Sequence, residues 1–181
     1  MQGLPAWTGK IIKQTIFLQV KASKPSRIIN VSSIGHERIH ESGIEDLNWE
    51  TRPYDNVKAY RQSKLANVLY TQELARRLGD DSGVTAYSLH PGFVRSEISR
   101  HMDEQMGMLS TVLWPFLTLI SKDCTDGAQT TIYCAVDEEV KDHNGLYYAD
   151  CKVKKMNPIA EDKDLAKKLW EISEKLTGIK K

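Results

Sequence analysis

RIINVSS, residues 27–33, is a short isoleucine- and valine-rich run that ends in two serines. So compact an apolar segment, bounded by polar residues, predicts a buried strand. A second such run, VTAYSLHPG at 84–92, is stopped by Pro91 and Gly92, and a third, GLYYA, spans 145–149. Between the first two lies a helical pattern over 57–78, where Ala66, Tyr70, Leu74 and Leu78 recur at i+4 with Leu69 beside them. Strand, long helix, strand is the pattern of a parallel crossover, so the chain reads as α/β. Three parallel strands are expected near 27–32, 84–89 and 145–148.

Around these elements, residues 11–22 read as helical. Residues 35–56, with Gly43 and Pro53 as breakers, read as loop. Residues 97–120 read as mostly helical, broken near Gly107 and Pro115. A helix over 126–136 is expected to open at Asp126, and another over 161–176 to end at Gly178. At 181 residues the chain fits one domain with a real core.

The 25 basic and 24 acidic residues leave a formal net charge of +1, which excludes nucleic acid as the main partner. Lys152, Lys154, Lys155, Lys163, Lys167 and Lys168 make the C-terminal part basic, read as a solvated helix face. Cys124, Cys134 and Cys151 form no C-x-x-C pair, so reduced thiols and neither a metal site nor a disulfide framework are expected. The start of the chain lacks the pattern of a secretory signal. The most apolar stretch, MGMLSTVLWPFLTLI at 106–120, is short for a membrane span and contains Pro115.

The chemistry concentrates in NVKAYRQSKLANVLY, residues 56–70. Helical spacing puts Tyr60 and Lys64 on one face, one turn apart. Taken alone, the pair reads first as neighbours on a solvated surface, and otherwise as an acid–base couple. A free phenol is a poor base at neutral pH, and a neighbouring ammonium favours the phenolate that proton exchange with an alcohol requires. Placement adds to the second reading. Ser33 follows the first strand and HPGFVRSE, 90–97, follows the second. In an open parallel sheet, ligands bind at such carboxyl ends.

NVSS, then Y-x-x-x-K, then H-P-G-x-V-x-S-E together resemble the short-chain dehydrogenase/reductase family. DLNWETRPY, AYRQSKLANVLYTQELARRL, GVTAYSLHPGFVRSEISRH and the closing AKKLWEIS are similar to its retinol dehydrogenase branch of the 11-to-14 type. The resemblance covers about residues 23–178. It implies hydride transfer between nicotinamide and a hydroxyl-bearing carbon, with Tyr60 as general acid/base. Lys64 would hold the nicotinamide ribose and Ser33 would orient the substrate oxygen. Pro91, Gly92, Val94 and Ser96 would cover the nicotinamide, serine standing where the family usually has threonine. The branch implies NADP, with NAD as the other candidate, and retinoids or related lipophilic alcohols and carbonyls as substrates. It further implies association with endoplasmic reticulum or mitochondrial membrane inside the cell. The segment 106–120 suits a greasy substrate and a membrane surface equally, and helix 57–78 matches the helix through which many members pair as homodimers.

The family's T-G-x-x-x-G-x-G turn does not occur; Thr8–Gly9 has no glycines at the needed offsets. The N-N-A-G motif does not occur either. The expected fold is therefore the C-terminal part of a Rossmann-type doubly wound parallel sheet, about three strands with flanking helices. It forms one partial domain over 1–181 with an atypical segment at 1–22. Activity is expected to be weak. The alternative is an inactive short form that acts as a binding or dimerisation partner.

Overall fold

The structure is a computed structural model that describes residues 18–95 and 121–178. Of the expected helix over 11–22, residues 18–22 are helical and the rest lies outside the described residues, as does the expected helical stretch 97–120. Strand β1, Ser26–Val31, leads through two short 3-10 turns into helix α1, Asn56–Leu78, and then strand β2, Val84–His90. Helix α2, Cys124–Val136, precedes strands β3, Tyr147–Ala149, and β4, Lys152–Val153, and helix α3, Lys163–Thr177. The strands lie in the order β1-β2-β3-β4. β1 and β2 pair in parallel from Ser26↔Val84 to Val31↔Leu89, and β2 pairs with β3 in parallel. The expected α/β sheet with three parallel strands is borne out.

One strand was not anticipated. β4 is antiparallel to β3, and the turn between them holds Asp150 and Cys151 at positive φ of 50° and 57°. Two residues are too few to show an alternating pattern in sequence. The expected loop 35–56 also contains order: 3-10 turns span Ile34–Arg38 and Ile44–Asp46. The first is capped by Ser33, whose Oγ accepts from the Gly35 amide. The second starts from Gly43 at φ +60°, a conformation that favours glycine.

Helix α1 starts where a capping carboxylate dictates, with Asp55 accepting from the Lys58 amide. Its buried stripe differs from the expected one. Leu65, Val68 and Leu69 are fully buried, with Leu74 nearly so, whereas Ala66, Tyr70 and Leu78 are only half-buried. The helix presents Leu65, Val68 and Leu69 to a core completed by Ala166 and Leu169 of α3. Tyr70 instead stacks on Trp170, with ring centroids 5.1 Å apart. Helix α2 opens three residues earlier than expected. Asp123, not Asp126, is its cap and accepts from the Asp126 amide. Helix α3 is capped by Asp162 and ends at Gly178 in the left-handed region, as the spacing predicts.

Alternation along β2 assigns the two sheet faces. Ala86 packs with Leu74 and Ala75 beneath α1, while Tyr87 and Leu89 pack with Cys134 and Val140 on the α2 side. No helix among the described residues is long and apolar enough to cross a membrane.

Candidate active site

Parallel pairing of β1 and β2 brings two segments to the same edge. Because Val31 is level with Leu89, Ser32–Ser33 and His90–Pro91 leave the sheet side by side at its carboxyl end. Helix α1 is fastened over that edge by polar contacts. Ser32 Oγ donates to the Lys64 carbonyl at 2.7 Å, Asn67 Nδ2 donates to the Val31 carbonyl at 3.1 Å, and Lys64 Nζ reaches the same carbonyl at 3.4 Å. Deeper in, Asn30 Nδ2 donates to Thr71 Oγ1 at 2.9 Å. These bonds fix the rotation of α1, so Tyr60 and Lys64 overhang the strand end.

Tyr60 and Ser33 converge on Gly35. A Cβ at Gly35 would lie 3.2 Å from Tyr60 Cε1 and 3.5 Å from Ser33 Oγ. The phenol ring and the serine hydroxyl therefore both lie against residue 35, where a side chain would crowd the ring. Tyr60 is 42% exposed, and among the described residues its hydroxyl has no hydrogen-bond partner. Lys64 Nζ lies 5.6 Å from the Tyr60 ring centroid. An exposed hydroxyl, a second hydroxyl and an ammonium arranged this way can hold a substrate oxygen and exchange a proton with it.

Sequence reasoning missed the supports of this arrangement. Gly35 belongs to no motif, and its role shows only in space. Asn67 sits three residues beyond Lys64, and that spacing was a usable signal for a shared target. His36 is fully buried, with Nδ1 2.6 Å from the Ser33 carbonyl oxygen. Since a carbonyl only accepts, Nδ1 carries the proton and the ring is the neutral Nδ1–H tautomer. Burial pushes its pKa below the ordinary 6.5, opposed by that hydrogen bond. The ring packs edge-on against Tyr147 at 4.7 Å. Next to it, Glu37 pairs with Lys154 at 2.7 Å, which ties the Ser33 turn to the segment after β4.

The loop after β2 is held separately. Gly92 has φ +97°, and a Cβ there would lie 2.8 Å from Lys122 Cδ. The Arg95 amide donates to the Lys122 carbonyl at 3.0 Å, and the Lys122 amide to the Phe93 carbonyl at 2.8 Å. Lys122 Nζ pairs with Asp150. Val94 is turned toward α2, where a Cβ at Gly127 would come within 2.5 Å of its Cγ2. Pro91 and Gly92 thus flank the strand end that bears Ser33, Val94 anchors their loop to α2, and Ser96 lies outside the described residues. His90 has its pKa lowered, by burial first and then by Lys154. Among the described residues no group of His, Cys, Asp and Glu is placed to hold a metal ion.

No protein-family model matches the chain. It is 46% identical over 162 residues to retinol dehydrogenase 13 of Homo sapiens, covering 89% of this chain and 48% of that protein. It is 42% identical over 162 residues to human retinol dehydrogenase 12, covering 90% and 49%, and 39% identical over 171 residues to human retinol dehydrogenase 11, covering 93% and 51%. The crystal structure of an uncharacterised protein from Mycobacterium paratuberculosis superposes with TM-score 0.59 at 30% identity, covering 86% of this chain and 51% of that one. The resemblance to the retinol dehydrogenase branch of the short-chain dehydrogenases, read first from motifs, is borne out. The chain spans about half the length of the curated relatives it matches.

Proposed function

We propose that the chain supplies the proton-transfer and substrate-holding part of an NADP(H)-dependent oxidoreductase interconverting retinol and retinal or related lipophilic alcohols and carbonyls. One observation supports this reading: the Tyr60 ring and the Ser33 hydroxyl converge on the same residue, Gly35, at the strand end, with Lys64 one turn along the helix. In the reductive direction Tyr60 donates its phenolic proton to the carbonyl oxygen while the Ser33 hydroxyl donates a hydrogen bond to the same oxygen. In the oxidative direction Tyr60 takes the proton back. Lys64 offers an ammonium beside the phenol, with N–H donors to spare beyond its bond to Val31.

The nicotinamide cofactor, when bound, supplies or accepts the hydride. The residues present suit its nicotinamide–ribose end: the Tyr60 hydroxyl has no hydrogen-bond partner among the described residues, Lys64 is beside it, and Pro91, Gly92, Val94 and Ser96 are the candidate covering loop. NADP over NAD rests on the usage of the branch. The adenine and pyrophosphate end finds no glycine-rich turn in these 181 residues. Hydride transfer needs reacting atoms held about 3–3.5 Å apart, so cofactor binding and turnover by the chain alone are expected to be weak.

This proposal treats 1–181 as one partial Rossmann domain, with 106–120 meeting substrate or a membrane surface and α1 available for pairing with a second copy. The membrane compartment follows the branch, endoplasmic reticulum or mitochondrial. A second reading, a binding or dimerisation partner without turnover, is favoured by the exposure of Val31, Ile34 and Val57 and by the position of β1 at the sheet edge, unpaired on that side among the described residues. Incubating the purified chain with retinal and either NADPH or NADH separates the two. Slow turnover with NADPH, abolished by Tyr60→Phe, supports the enzyme. Turnover indifferent to Tyr60→Phe, or none with saturating cofactor, removes it.

A further inference from the structure

Away from the Tyr60 stripe, the chain between the two 3-10 turns and the start of α1 lines an open cleft of about 570 Å³. Its wall carries Arg38, Lys58 and Arg61, with Arg52 ion-paired to Asp46 at 3.6 Å, and two carboxylates, Glu41 and Asp55. The Asp55 carboxylate is already engaged as the α1 cap, accepting from the Lys58 amide at 2.9 Å. Neither Arg38 nor Lys58 has an ion-pair partner among the described residues. Arg61 spends one N–H on the Arg38 carbonyl at 3.3 Å. Several unneutralised cations in one concave place, with separate N–H donors, suit a dianion better than a single carboxylate.

The same cleft has an aromatic side. Trp49 is held by its Nε1–H donating to Gln62 Oε1 at 2.8 Å, and the Arg52 guanidinium lies 3.9 Å over its ring. Arg52 is itself fixed, with Nη2 donating to the Asp46 carbonyl at 3.2 Å. Tyr54 meets Trp49 edge-on at 5.5 Å and is 71% exposed. So large an exposed ring beside unpaired cations is a stacking surface with no occupant of its own chain among the described residues. The volume falls in the range that accommodates a ligand of drug size. On α1, Lys58, Arg61 and Gln62 occupy a different stripe from Tyr60 and Lys64, so this place is separate from the proton-transfer site.

We propose that this cleft binds a phosphate monoester carried on a planar ring, the phosphate held by Arg38, Lys58 and Arg61 and the ring laid against Tyr54. The inference does not depend on the oxidoreductase reading, because it concerns binding alone. Calorimetric titration of the purified chain with AMP, inorganic phosphate and adenosine at low ionic strength tests it. AMP should bind more tightly than either fragment, and its affinity should fall as salt is raised. Arg61→Gln and Arg38→Gln should each weaken AMP about tenfold or more, the scale of a lost charge-assisted hydrogen bond. Tyr54→Ala should reduce AMP toward the level of inorganic phosphate and leave phosphate unchanged. Lys58→Gln, an exposed substitution, repeats the test should an arginine variant lose its circular-dichroism melt. Absence of saturable AMP binding overturns the proposal. So does AMP binding that survives the charge substitutions, or binding that Tyr60→Phe and Lys64→Met weaken instead.

Discussion

Beneath α1 the sheet presents Ile28, Asn30, Ser32, Ala86, Ser88 and, from β3, Tyr147; on the α2 side it presents Ile29, Tyr87, Leu89 and Tyr148. Small side chains at Ser32, Ala86 and Ser88 let a 23-residue helix lie close there, while Leu65, Val68, Leu69 and Tyr147 fill the core it shares with α3. That closeness is what allows Ser32, Asn67 and Lys64 to meet the strand end. The other face is covered by a helix of 13 residues, and large tyrosines fill the space it leaves. Each buried hydroxyl there has to be bonded: Tyr87 donates to the Val140 carbonyl at 2.7 Å, and Tyr148 pairs with His143. The first face combines close approach at the strand end with one buried tyrosine and carries the candidate chemistry; the other is filled by Tyr87 and Tyr148.

The largest effect should come from hollowing the close face. Leu69 is fully buried in the α1–α3 core, so Leu69→Ala should cost about 2–5 kcal/mol in urea unfolding. A loss under 1 kcal/mol would mean that α1 does not depend on this contact. Next comes crowding on the α2 side. Gly127→Ala puts a methyl group 2.5 Å from Val94 Cγ2 and should cost about 1–3 kcal/mol, the scale of overpacking. The shift should also be felt in the loop that bears Pro91 and Gly92, and heteronuclear NMR would locate it. Tyr87→Phe removes only the bond to Val140 and should cost about 0.5–1.5 kcal/mol.

How far this division was legible in sequence depends on the length of the signal. Helix α1 was readable because Ala66, Tyr70, Leu74 and Leu78 recur at i+4 over a long segment, yet its phase was misjudged. Counting from Tyr70 gives the half-buried stripe, because Tyr70 finds Trp170, a residue a hundred positions away. β4 is two residues long and the 3-10 turns are three and five, too short for any period to register. Tyr60, Lys64 and Ser33 were nameable from spacing and from their place at a strand end. Gly35 and His36 were not, since their roles arise only when the turn folds Ser33 against the helix.

The two faces should also answer pH from opposite sides. His36 on the close face has a pKa lowered by burial, with Ser33, Glu37, Lys154 and Tyr147 as its surroundings. The unfolded chain therefore takes up a proton more readily than the folded one. The resulting stability is complete above the unfolded value near 6.5 and declines as pH falls below it. His90 adds to the same limb. On the α2 side burial pushes the Cys134 thiol up to about 11 from 9. Its contribution is complete below pH 9 and is lost as pH rises toward 11. Thermal melts across pH should show His36→Gln flattening the acid limb alone and Cys134→Ala flattening the alkaline limb alone. Exchange of the two effects would break the comparison.

The smallest stability effect belongs to the residue with the largest proposed consequence. Tyr60 is 42% exposed, its hydroxyl has no partner among the described residues, and Gly35 gives its ring room. Removing that hydroxyl deletes no buried contact, so Tyr60→Phe should leave the urea midpoint within about 0.5 kcal/mol of the parent, as for most surface substitutions. Leu65, five residues along the same helix, is fully buried and behaves like Leu69. The contrast follows from helix rotation: Ser32, Asn67 and Thr71 hold α1 so that its apolar stripe meets the sheet while Tyr60 overhangs the strand end. Losing a general acid typically costs about 10²–10⁴ in rate. A fall of that size in turnover, with an unchanged unfolding midpoint, would assign Tyr60 to chemistry. A drop in stability comparable to that of Leu69→Ala would show instead that the phenol is a structural contact and that the overhang carries no catalytic role.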